Sequence, residues 1–199
     1  MLDKFPVNKR WSLVHATHLS DDELQNAAGR RVVAGLCPTT EADLGDGIFR
    51  TADWLRAGGQ FSIGSDSNVR VSVAEELRLL EYNERLSTGQ RNVLTGPGVT
   101  CGRFLYQHAA GAGGIASGQP VGILEPGYRA DLLELDRDHV MMTGRNPDVS
   151  LDSWVFAGDR SMIKSVWVAG QRRVYRGFHA REDEIRTKFA KVLTGLREQ

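Results

Sequence analysis

Trp11-Ser-Leu-Val-His15-Ala-Thr-His18-Leu-Ser20-Asp-Asp-Glu23 and Phe61-Ser-Ile-Gly-Ser-Asp66-Ser-Asn68 each run from apolar residues into polar side chains capable of chemistry. Residues of that kind, at the C-terminal ends of parallel strands, are where a (β/α) barrel keeps its active site. A whole barrel takes about 250 residues, whereas the chain has 199. The sequence therefore reads as the second half of a strand-end site without the first.

Around these two stretches the pattern alternates. Residues 11–17 read as a strand. Ser20-Asp-Asp-Glu23 is a capping box that opens a short helix, which Gly29 ends. Residues 31–36 form a second apolar strand, closed by Cys37-Pro38. Residues 48–57 read as a helix with Ile48, Trp54 and Leu55 on one side, broken at Gly58-Gly59. Residues 60–64 are a third strand. Residues 72–86 are an amphipathic helix with Leu77, Leu80 and Tyr82 turned inward, and Glu75-Glu76 reads as part of its solvated face. Near-continuous apolar strands separated by helices imply a parallel sheet covered by helices, in about three βα units.

Beyond residue 90 the grammar changes. Residues 98–110 read as a helix, followed by the small-residue run Gly111-Ala-Gly-Gly-Ile-Ala-Ser-Gly118. Residues 121–136 read as a tight turn leading into a strand. Residues 162–168 and 171–176 flank Ala169-Gly170 as a hairpin. Residues 181–197 read as a charged C-terminal helix. The expected division is 1–118 for the βα units, 119–180 for a small β-rich unit and 181–199 for the terminal helix. Met1-Leu-Asp-Lys-Phe-Pro-Val reads as the middle of a helix-to-strand connection, so Met1 is expected to be an internal methionine.

Composition narrows the partners. Lys+Arg and Asp+Glu are both 25, and no basic stripe suggests nucleic acid or a membrane surface. No apolar run approaches the 18 or so residues of a membrane span, and MLDKFPVNKR lacks a signal-peptide core. Cys37 and Cys101 make neither a framework nor a C-x-x-C pair. Both are expected to be reduced thiols, Cys37 a buried one, in a cytoplasmic protein.

Read as residues, the candidates keep two meanings each. His15 and His18 do not share a face of an ending strand cleanly, which makes a poor two-ligand metal site. Each fits a hydrogen-bonded structural histidine. His108, His139 and His179 read as surface or structural. Asp66 is either a turn or helix cap or a functional anion. No G-x-S-x-G, P-loop, G-x-G-x-x-G or H-x-H pattern is present.

Taken together, these segments resemble the C-terminal part of an amidohydrolase-superfamily enzyme, in the deaminase branch that holds one metal ion. Val14-His15-Ala-Thr-His18-Leu19 resembles that branch's strand-6 motif. Gly35-Leu-Cys-Pro38 with Glu41-Ala-Asp-Leu-Gly-Asp-Gly47 resembles its strand-7 segment, and Ile63-Gly-Ser-Asp66-Ser-Asn68 its strand 8. Glu76-Leu-Arg78 fits the helix that follows. Glu125-Pro-Gly-Tyr-Arg-Ala-Asp131-Leu resembles the segment that re-enters the small β-sandwich beside the barrel, and the hairpin Val166-Trp-Val-Ala-Gly-Gln171 completes it. Three of these motifs look most like the subgroup that hydrolyses C–N bonds of linear amidines.

The resemblance implies an α/β fold: about strands 6–8 of a metal-dependent (β/α)8 barrel, plus part of the β-sandwich and a C-terminal helix. It implies a zinc ion as cofactor, Asp66 as a metal ligand and proton-transfer residue, and His15 as the residue that polarises the attacking water. His18 matches no family ligand and stays structural. The partners implied are a small-molecule substrate and a second copy of the chain in a homodimer.

The family's H-x-H, its strand-5 metal histidine and its acid–base glutamate all lie upstream of the motif at His15. Only fourteen residues precede His15, and they hold no histidine and no glutamate. No basic pair stands out in the strand-end loops, so substrate-binding residues are unassigned. The expectation is a segment inactive by itself. Purine, pyrimidine and thioether-nucleoside deaminases and chlorohydrolases share the framework. The other reading is a non-catalytic α/β module, weakened by the two unpaired parallel edges that three βα units expose.

Overall fold

The structure, a computed structural model, describes residues 4–198; the reading of Met1 lies outside them. Strand β1 (Ser12–Val14) leads through the capping box at Ser20 and Glu23 into α1 (Asp21–Gly29). Strand β2 (Val33–Leu36) is buried almost throughout and leads into α2 (Pro38–Leu44) and α3 (Thr51–Arg56). Strand β3 (Gln60–Ile63) precedes the long helix α4 (Val73–Thr88). The three strands form one parallel sheet in the order β1-β2-β3. The mixed α/β architecture expected from the alternation is thus present, with β1 and β3 at its edges.

Helix α5 (Cys101–Ser117) packs against β3. It corrects the expectation of a helix ending at 110. Glycine favours breaking a helix, but here the small residues are what bring the chain back close to itself. A Cβ at Gly114 would lie 2.3 Å from the Val121 carbonyl oxygen. The helix ends instead at Gly118, whose φ of 65° suits a residue without a Cβ.

A second, antiparallel sheet follows in the order β4-β5-β6-β7: Leu132–Leu135, Ile163–Val168, Gln171–Tyr175 and Phe178–His179. The hairpin at Ala169-Gly170 turns with both residues at positive φ, 51° and 76°, as a tight hairpin turn needs. Asp131 ties the preceding segment to that turn by accepting from the Ala169 N–H at 2.8 Å. Between β4 and β5 lies a helix that the reading of a β-rich tail omits, α6 (Ser150–Ala157). It packs on α4 and α5. Arg78 donates to the carbonyls of Val155 and Gly158, each at 2.6 Å. Asp152 accepts from the Gly102 N–H at 3.0 Å and from Thr100, capping α5 from outside. The last helix, α7 (Glu182–Arg197), leaves Ile185, Phe189, Val192 and Leu196 exposed at helical spacing.

Three details of the sequence reading are corrected. The helix expected over 48–57 starts only at Thr51, and Ile48 is exposed while Phe49 is buried against Trp54. Tyr82 is exposed; its ring stacks on Phe156 on the outer side of α4. Glu76 is not on a solvated face but buried, as are Glu81 and Glu84 on the same helix.

Those buried glutamates have partners that explain them. Helices α2 and α3 lack a side-chain cap of their own, so their first N–H groups need acceptors from elsewhere. Glu76 accepts from the Thr39 N–H at 2.9 Å and its hydroxyl at 2.5 Å. Glu84 accepts from the Ala52 N–H at 3.0 Å. Glu81 accepts from the N–H groups of Val93 and Leu94 at 3.1 and 2.8 Å and pairs with Arg85 at 2.7 Å.

Burial pushes the Glu76 carboxyl above its ordinary 4.5, against the pull of the Thr39 bonds. A carboxyl raised on folding binds more protons folded than unfolded between the two values. Its contribution to stability therefore falls as pH rises through that interval. Urea unfolding from pH 4.5 upward should show the native chain losing stability relative to Glu76→Gln, while Glu76→Ala, which orphans two donors, costs about 2–3 kcal/mol at pH 4.5 and less as the pH rises. A difference between the native chain and Glu76→Gln that does not move with pH would count against this.

Candidate active site

The parallel register brings three strand ends to one edge. Val14 pairs with Gly35, and Leu36 with Ile63. The His15 N–H continues the ladder to the Gly35 carbonyl, and the Gly64 N–H to the Leu36 carbonyl, both at 2.9 Å. His15 thus leaves β1, Cys37 leaves β2, and Asp66 follows β3 within three residues. His15 and Asp66 both stand at positive φ, 61° and 48°. Histidine and aspartate tolerate this region better than most residues, and such conformations concentrate at functional sites.

The two residues singled out in the sequence meet. His15 Nε2 lies 3.8 Å from Asp66 Oδ2, with both side chains partly open to solvent. His18 does not join them; it is exposed and packs beside Gly47. His108 stacks between Phe104 and Phe61. His139 and His179 accept backbone N–H groups two residues ahead.

The residue missed in the sequence is Glu41. It is 2% exposed, and its Oε1 accepts from the Cys37 N–H at 2.8 Å and faces His15 Nδ1 at 3.2 Å. Burial pushes its carboxyl up, opposed by the bonds from Cys37 and His15. The signals that place it were present. Pro38 at the first turn and Gly45 at the end, in the left-handed conformation with φ 71°, bracket α2. A helix starting directly after β2 sets Glu41 under the strand ends. Around it, Thr40 bonds the Ser65 carbonyl at 2.8 Å and Asn68 the Thr39 carbonyl at 3.4 Å, tying α2 to the loop that carries Asp66.

Zinc takes His, Cys and carboxylate donors, and a catalytic site uses three protein ligands with one position left for water. The partly exposed Asp66 carboxylate suits one such ligand, with the His15 imidazole beside it. Among the described residues, His15, Cys37 and Glu41 also bring donor atoms within 4.8 Å of one another. That trio is closed rather than open. Glu41 Oε1 is taken up by its hydrogen bonds, and burial, with Glu41 adding to it, pushes the Cys37 thiol up to about 11, away from the thiolate that a metal binds. The donor set therefore fits a partial zinc site at Asp66, one that needs further ligands.

The model of the amidohydrolase family matches residues 7–173. Formimidoylglutamate deiminase of Pseudomonas aeruginosa is 45% identical over 197 residues, covering 98% of this chain and 44% of that protein. The crystal structure of an amidohydrolase from Brucella melitensis superposes with a TM-score of 0.91 at 44% identity, over 98% of this chain and 43% of that one. An adenosine deaminase from Xanthomonas campestris, crystallised with bound zinc, shares the fold with a TM-score of 0.82 at 23% identity, over 96% of this chain and 43% of that one. The chain thus spans less than half the length of the relatives it matches. No described helix is long and apolar enough to cross a membrane.

Proposed function

The chain belongs to the amidohydrolase family, and on that premise we propose that it carries the His15–Asp66 half of a zinc-dependent active site. The reaction is hydrolysis of N-formimidoyl-L-glutamate to N-formyl-L-glutamate and ammonia. The observation that carries the reading is the meeting of His15 and Asp66 across the ends of β1 and β3, at 3.8 Å. The identity with formimidoylglutamate deiminase supports the substrate. In barrel terms, β1, β2 and β3 take the places of strands 6, 7 and 8, with 1–118 as barrel, 119–180 as side domain and 181–199 as a terminal helix. Both cysteines are free and buried, which suits a reducing cytoplasm.

The chemistry needs a nucleophile at neutral pH and an activated amidine carbon. Zinc chemistry at Asp66 would supply a water with its pKa brought near 7. Asp66 and His15, side by side at the strand ends, are the residues assigned to the attacking water's proton. The imidazole and carboxylate take it up as the oxygen bonds to the formimidoyl carbon, and hold the charge that develops. The C–N bond to the terminal nitrogen then breaks as the oxygen gives up its second proton to become the formyl carbonyl; both water protons end on the departing nitrogen, which leaves as ammonia. The acid for that step and the other zinc ligands are assigned to the part of the site outside this chain, so the chain by itself is expected to be inactive.

A chimera tests this directly. The chain replaces the segment it matches in the Pseudomonas aeruginosa enzyme. The chimera is expected to release ammonia and N-formyl-L-glutamate in equal amounts, and the isolated chain to release neither. A folded chimera that leaves the substrate intact sinks the substrate assignment, and turnover by the isolated chain sinks the half-site reading.

A further inference from the structure

We propose that Glu41 is a positioning residue that acts through His15, fixing the imidazole with its proton on Nδ1 and its bare Nε2 turned to Asp66. The inference rests on the proposed function for its catalytic consequence, but the geometry stands apart from it. The two ring nitrogens of His15 face two different carboxylates, Glu41 at 3.2 Å and Asp66 at 3.8 Å. These are not equivalent. Asp66 is 43% exposed and can be solvated, whereas Glu41 is 2% exposed and must find its donors within the protein.

The oxygen that faces Nδ1 is the same Oε1 that accepts from the Cys37 N–H. An oxygen already accepting from a backbone amide is oriented as an acceptor, so Nδ1 is the donor in this pair. A neutral imidazole has one donor and one acceptor nitrogen. Placing the proton on Nδ1 leaves Nε2 free to accept, on the side of the strand-end edge where Asp66 lies. The amide of Cys37 has a second effect: it pins the Glu41 oxygen, so ring orientation is tied to the end of β2 through backbone. Carboxylates that hold the far nitrogen of a metal-ligating histidine matter about 10–100-fold for metal affinity or activity, and the same orienting bond is made to His15 here.

The test uses the chimera described above with 15N-labelled histidine, and His15→Asn to assign the His15 signals. The expected result is an Nδ1-protonated His15 in the parent. Glu41→Gln, whose amide oxygen the Cys37 N–H holds in the same place, should keep that tautomer and most of kcat. Glu41→Ala removes the acceptor and is expected to shift the tautomer and lower kcat about 10–100-fold with KM within about twofold. Should Glu41→Ala fail to fold, Glu41→Asp, which withdraws the oxygen from the ring and keeps the charge, decides in its place.

An Nε2-protonated His15 in the parent overturns the proposal. So does a Glu41→Gln variant as impaired in kcat as Glu41→Ala, or a Glu41→Ala variant with only its melting temperature lowered, which is the signature of a cap for α2. A parent chimera with no deaminase activity overturns the proposed function instead, and the tautomer measurement still decides the role of Glu41.

Discussion

Asp66→Asn in the chimera is expected to lower kcat by about 10²–10⁴-fold, the range a positioned proton-transfer group supplies, and to weaken zinc binding, while leaving the fold almost untouched. Asparagine is close to aspartate in size and tolerates the left-handed backbone at φ 48° that this position requires. The carboxylate is 43% exposed, and its contact with His15 spans 3.8 Å. Open pairs of that length contribute little to stability, about 0–1 kcal/mol. The substitution thus separates chemistry from folding, which is hard at a buried residue. Steady-state kinetics, zinc content and a thermal melt on one preparation suffice. A variant within about fivefold of the parent in kcat would remove Asp66 from the proton-transfer step.

That His15 and Asp66 lie at one edge could be read from the sequence because each follows an apolar strand within three residues, and a parallel sheet gathers such positions whatever the loops between them do; what they do there came only from the family resemblance. The capping box at Ser20 and Glu23 was equally legible, since both partners lie within one turn. What could not be read depends on contacts between distant segments. Glu41 and Glu76 belong to a residue type that is almost never fully buried. Their burial follows from backbone donors that only the assembled fold supplies, the Cys37 amide for one and the uncapped start of α2 for the other.

The small-residue run shows the same limit from the opposite side. Local propensity argues for a break at Gly111–Gly118, and tertiary packing overrides it. The helix continues because Gly114 lets residues 119–121 fold back against it. The omitted α6 is also a tertiary feature. Its apolar residues Trp154 and Val155 are buried under α4 and α5, where Arg78 and Asp152 satisfy backbone groups on either side.

Trp54→Ala is expected to cost about 3–5 kcal/mol, a large part of the 5–15 kcal/mol or so that holds a typical domain together. Trp54 is fully buried in α3, edge-on to Phe49 at 5.7 Å. Its indole N–H donates to the Gln60 carbonyl at 2.9 Å, at the first residue of β3. Its ring also lies so close to Gly59 that a Cβ there would come within 2.4 Å. One side chain therefore fixes the turn between α3 and β3, and through β3 the approach to Asp66. Alanine leaves a cavity and an unpaired carbonyl together. Two controls divide the loss. Trp54→Phe keeps most of the packing and forfeits the N–H, for about 1 kcal/mol. Gly59→Ala keeps the tryptophan and forces the ring aside, for about 1–3 kcal/mol. Urea unfolding of the three variants should rank them with Trp54→Ala lowest and Trp54→Phe highest. If Gly59→Ala were neutral, the ring would have room to move, and the turn would be set by its backbone alone.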